Sequence, residues 1–104
     1  MNFLEFEQEI FKKKTVLVYL SSPKCHVCKI IKPKLYLEVK NKYPKLHWLD
    51  INLSQSLEIS GQLQVFSIPT VIVYFSGKET IRKTRNFSIS ELLNSIERPY
   101  KILD

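Results

Sequence analysis

The sequence predicts an α/β domain with a central mixed sheet of about four strands and helices on both faces. Three observations carry that expectation. Two short apolar runs, "VLVYL" at 16–20 and "VIVYF" at 71–75, have the length and the β-branched or aromatic content of strands buried on both faces. Segments whose apolar residues recur three to four apart alternate with such runs, so an early strand–helix–strand implies a parallel pair with a right-handed crossover. Late in the chain two β-rich runs flank "SGK", the mark of an antiparallel hairpin. The 104 residues, 1–104, are expected to form one domain, enough for a single core and not two.

Taken in order, Asn2 to Lys13 places Phe3, Phe6, Ile10 and Phe11 on helical spacing, with Asn2 as N-cap and Glu5 in the first turn. Thr15 to Leu20 is the first strand. The stretch "SSPKCHVCKIIKPK" at 21–34 follows, and beyond it Ile30, Ile31, Leu35, Leu37 and Val39 continue a helix that Pro33 should kink rather than stop. Leu46 to Ile51 reads as the second strand and carries Trp48, the sole tryptophan, expected to fill the core. Ser54 to Gln64 reads as a short helix, with Leu57 and Leu63 among its inward candidates. Residues 67–85, "SIPTVIVYFSGKETIRKTR", supply the hairpin, turning near Gly77. Ser88 with Glu91 forms a capping box for a last helix bearing Leu92, Leu93 and Ile96, with Pro99 just past its end.

The bulk composition removes several function classes. An apolar fraction of 44% and a charged fraction of 25% fit a folded globular domain rather than a disordered one. The net charge of +6 is spread along the chain, with "KKK" at 12–14 the only run and no nucleic-acid-binding motif around it. A solvated basic surface is the expectation, and no nucleic-acid partner. No apolar run approaches the roughly 20 residues that span a bilayer, so no membrane role is expected. The N-terminus is acidic before it is basic, unlike a secretory signal, and a cytoplasmic location is expected. Glycine-rich phosphate loops and internal repeats are absent from the sequence.

The chemistry centres on Cys25 and Cys28, the only cysteines. A Cys-x-x-Cys pair where a strand meets a helix puts the first thiol among the unpaired N–H groups of the helix N-terminus, which favour the thiolate. Cys28 lies nearly one turn later, within reach of a mixed disulfide on Cys25, so Cys25 is the candidate nucleophile and Cys28 the resolving thiol. Lys24 and Lys29 flank the pair. Two other readings stay open. Zinc needs about four ligands, and His26 and His47 are the only further nitrogens of that kind, which makes a metal site the weaker alternative. Two inert buried cysteines are the blander one. Neither a metal nor any other cofactor is expected.

The element order, "CHVCK", Pro33 in the following helix, "SIPTVIVYF" and "SGK" together resemble a thioredoxin from end to end. The resemblance implies a thioredoxin fold. It aligns Pro69 with the family's cis-proline, opposite the cysteines, and makes the backbone of Ile68 the edge that pairs with an extended substrate. Gly77 takes the place of the hairpin glycine. The implied activity is thiol–disulfide oxidoreduction. The partners would be proteins or small molecules containing disulfides, and a reductase or thiol pool that recharges the pair; a monomer is expected.

Several departures bear on that activity. Where the family has Trp-Cys-Gly-Pro-Cys, this chain has Pro23-Lys24-Cys25-His26-Val27-Cys28, and the residues between the cysteines tune thiolate stability and electron flow. A protonated His26 would favour the Cys25 thiolate and a more oxidising couple; an exposed neutral one would do little. Tyr19 stands where the family keeps a buried acid that relays the resolving cysteine's proton, and a phenol is a poor base near pH 7. Arg85 replaces a glycine that admits substrate, so it either crowds the groove or selects acidic partners. These changes keep a second function class in view: a thioredoxin-fold binding module for one protein partner, redox-sensitive or without catalysis.

Overall fold

The structure is a computed structural model and describes residues 1–103. Its elements run α1 (Phe3–Lys12), β1 (Thr15–Ser21), α2 (His26–Lys42), β2 (His47–Asn52), α3 (Leu57–Leu63), β3 (Thr70–Phe75), β4 (Lys78–Thr84) and α4 (Ile89–Leu103). The four strands form one mixed sheet in the order β2-β1-β3-β4. β1 pairs parallel with β2, placing Tyr19 opposite Asp50, and antiparallel with β3. The β3–β4 hairpin is antiparallel, with a register shift between Val73 and Tyr74.

The interior positions of β1 and β3 explain their unbroken apolar runs. Residues 15–20 and 70–75 are buried throughout, because each strand has a neighbour on both sides and helices on both faces. Alternation then divides the core in two. Leu17 and Tyr19 face Leu35 and Val39 of α2 and Leu92 and Ile96 of α4. Val16, Val18 and Leu20 face the other way, onto Phe6 and Ile10 of α1 and Ile59 of α3. A capping box fixes the start of α1: the Asn2 side chain accepts from the Glu5 N–H, and the Glu5 carboxylate accepts from the Asn2 N–H.

The structure departs from the sequence reading at several places. Pro99 lies inside α4, not beyond it. Contacts distant in sequence carry the helix past it: the Tyr100 ring packs 4.8 Å from that of Tyr43, and its hydroxyl accepts from the Lys45 N–H at 3.1 Å. α3 begins at Leu57 rather than Ser54, because Ser54 folds back through its N–H and hydroxyl onto the Asn52 side chain. Leu57 is exposed and Ile59 takes the inward position. Ile30, Leu37 and Phe11 are also exposed. Phe11 lies across the hairpin turn, where Gly77 has φ +81 and a Cβ would sit 2.8 Å from the ring. Trp48 is half-buried at the edge of the core, stacked on Tyr19 and edge-on to Tyr36.

Candidate active site

Cys25 is the N-cap of α2. Its backbone is extended (φ −89, ψ 103), and its sulfur accepts from the Cys28 N–H at 3.1 Å. A sulfur in that position meets the positive end of the helix and one of its unpaired donors, which is the arrangement that stabilises a thiolate. The first turn of α2 carries no acidic side chain to oppose it. The Cys25 N–H donates to the Ser22 carbonyl at 3.1 Å, closing the turn that delivers β1 into α2.

The two sulfurs are joined as a disulfide, with the Cα atoms 5.3 Å apart. Their environments differ sharply. Cys25 is half-buried, whereas Cys28 is 2% exposed and belongs to the core that faces α2 and α4. An outside reactant therefore meets Cys25 first, and Cys28 is reached from Cys25. His26, Val27, Lys24 and Lys29 all lie exposed around the pair. Among the described residues no three His, Cys, Asp or Glu side chains gather into a metal site. His47 instead lies 3.8 Å from the Glu9 carboxylate, with burial and then Lys13 holding its imidazole below the usual range.

The Ile68–Pro69 peptide is cis, Pro69 is buried, and Ile68 packs on the same core as the two cysteines. Thr70 donates to the Ser67 carbonyl at 2.6 Å, tying the loop at the entry to β3. Arg85 reaches this loop through its backbone: its N–H donates to the Pro69 carbonyl at 2.8 Å. Its φ of +51 lies in the left-handed region, which glycine adopts freely and which costs a residue bearing a Cβ about 1–2 kcal/mol. The arginine side chain is exposed.

Tyr19 is fully buried, and its hydroxyl donates to the Cys28 carbonyl at 2.8 Å. That bond adds a side-chain donor to a carbonyl in the first turn of α2 and pins the turn that holds the resolving cysteine. Burial, with a smaller contribution from Asp50, pushes the phenol up to about 12, so Tyr19 stays protonated and serves as a donor. Sequence reasoning missed this bond, and it missed Asp50 and Lys32, which form an ion pair at 3.0 Å beside Cys28. A signal existed for each. Asp50 alternates with Trp48 on β2, and Lys32 falls one turn after Cys28 on α2.

Known proteins resemble this chain over most of its length. Residues 1–98 match the thioredoxin family. The chain is 26% identical over 103 residues to Thioredoxin-like protein YdfQ of Bacillus subtilis, covering 99% of this chain and 91% of that protein. It is 32% identical over 77 residues to a thioredoxin of Mycoplasmoides gallisepticum, covering 74% and 76%. The structure of thioredoxin 1 from Thermosipho africanus superposes with a TM-score of 0.76 at 37% identity, covering 84% of this chain and 96% of that one. No helix among the described residues is long and apolar enough to cross a membrane. The match takes in the strand order, both cysteines and the proline loop rather than a fragment of them, and the chain belongs to the thioredoxin family.

Proposed function

We propose that the protein is a thiol–disulfide oxidoreductase of the cytoplasm, exchanging its Cys25–Cys28 dithiol and disulfide with disulfides of proteins or small molecules. One observation carries the reading: Cys25 caps a helix N-terminus within reach of an outside reactant, while the partner it would be resolved by is buried three residues on. The Cys25 thiolate attacks one substrate sulfur and expels the other as a thiolate. Cys28 then attacks Cys25, the mixed disulfide breaks, and the second substrate sulfur leaves with its electron pair. The substrate disulfide gains two electrons and the cysteine pair loses them. A reductase or thiol pool returns them, and no bound cofactor enters.

In this reading Ile68 and Pro69 orient an extended substrate beside Cys25. Lys24, His26 and Val27 set the stability of the thiolate, and Arg85 favours acidic segments. Tyr19 in place of a buried acid favours the second reading, a binding module for one partner. Alkylation separates the two. At pH 7 iodoacetamide should modify Cys25 of the reduced protein about fivefold or more faster than it modifies glutathione, and well before Cys28, because a lowered pKa raises the thiolate fraction. Equal slow modification of both cysteines would reject the oxidoreductase and leave the binding module.

A further inference from the structure

We propose that Asp50, held by Lys32, accepts the proton of the Cys28 thiol through a water in the cleft between β2 and α2. The inference rests on the exchange reading above and names the base that reading lacks.

Tyr19 cannot be that base, since its hydroxyl is protonated and already donates to the Cys28 carbonyl. The neighbouring strand offers a carboxylate instead. Asp50 stands in register with Tyr19 across the parallel β1–β2 pair, so the two side chains leave the same face of the sheet about 4.8 Å apart in the backbone. That face lies under the first turns of α2. Lys32 follows Cys28 by one helical turn, on the same side of the helix, and its Nζ sits 3.0 Å from Asp50 Oδ2. The cleft between these walls has a volume of about 260 Å³ and is lined by Ser21, Ser22, Cys28, Lys29, Lys32 and Asp50. Pro23 and Ile51 make part of its wall apolar, and Ser21, Ser22 and Asp50 supply the polar partners that a bridging water needs.

The charged and titratable groups facing Asp50 are Tyr19 from β1 and Lys29, Lys32 and Tyr36 from α2. The two ammonium groups steady the thiolate that forms. In the mixed-disulfide state the Cys28 thiol gives its proton to the water, which passes one of its own to Asp50. The Cys28 thiolate attacks Cys25 Sγ, the Cys25–substrate bond breaks, and the substrate sulfur leaves with the electron pair and takes up a proton. A Cys25–Cys28 disulfide remains.

The test loads Cys25 of the full chain with thionitrobenzoate as a mixed disulfide and follows its release from pH 6 to 9. In Asp50→Asn, release at pH 7 should slow about tenfold, less than the roughly 10²–10⁴ of a directly bonded base because solvent reaches the cleft. The deficit should close as the pH passes about 8.5, where an ordinary thiol ionises unaided. Asp50→Glu should recover most of the rate, and alkylation of Cys25 in a Cys28→Ser background should be unaffected by Asp50→Asn. Release at the wild-type rate and pH profile would overturn the proposal. So would a slowing that is equal at every pH, which marks a structural effect. Wild-type protein that never releases thionitrobenzoate would overturn the exchange reading, and this inference with it.

Discussion

Cys28→Ser protein, mixed with a disulfide-containing protein, should accumulate as a covalent complex through Cys25 and release no reduced product. The reason is positional. Cys28 is 2% exposed, on the inward side of the first turn of α2, and the sulfur within its reach is that of Cys25. Without it the mixed disulfide has no intramolecular attacker and waits for an outside thiol, which is slower by the loss of proximity. Cys25→Ser should form no complex at all, because the remaining thiol is buried. Non-reducing gel electrophoresis with mass spectrometry of the adduct reads both outcomes. An adduct on Cys28, or turnover persisting in Cys25→Ser, would reverse the assigned order of attack.

Restoring the family's acid should damage this protein rather than improve it. Tyr19→Asp removes a fully buried ring that stacks on Trp48 at 5.6 Å between centroids and donates to the Cys28 carbonyl. Losing an aromatic ring from a core costs about 3–5 kcal/mol through transfer and cavity terms. The Cys28 carbonyl also loses the second donor that Tyr19 supplies beside the helical bond, at about 1 kcal/mol. The two overlap, so a net loss of about 4 kcal/mol is expected, a large share of a typical domain's 5–15 kcal/mol.

The effect carries a pH signature. A carboxylate placed in that pocket faces a carbonyl oxygen and little water, so burial raises its folded-state pKa above the unfolded value near 3.9. Its penalty is therefore full at pH 7 and shrinks as the pH falls and the group is protonated, when it can also donate to the carbonyl. Denaturant unfolding of wild type and variant at pH 7 and pH 4 should show the larger difference at pH 7. A variant as stable as wild type at pH 7 would mean that Tyr19 is not the tie described.

Much of this molecule was legible in its sequence, for a physical reason. The interior strands β1 and β3 have neighbours on every side, so they are written as unbroken apolar runs. The hairpin needs a positive φ, so Gly77 marks it. The cysteines announce themselves by spacing at a strand–helix junction. What was hidden depends on pairing between distant segments. Pro99 stays helical because Tyr100 is anchored on Tyr43 and Lys45. Leu57 and Ile59 compete for one inward position, and the turn at Ser54 decides between them. Asp50 meets the active site only through the β1–β2 register, and Lys32 only through the packing of α2 on that sheet. Neither is adjacent to the cysteines in any way that a linear pattern records.

The most direct test of the account is a redox titration of the cysteine pair. Purified protein is equilibrated in glutathione buffers of graded ratio, quenched in acid, and its free thiols counted, with Cys28→Ser as control. A reversible two-electron transition is expected, about 30 mV for each tenfold change in the equilibrium, and it should be lost in Cys28→Ser. Its midpoint also reports how far His26 and Val27 have shifted the couple. No reversible transition in any buffer would contradict the claim that Cys25 and Cys28 act as a redox pair.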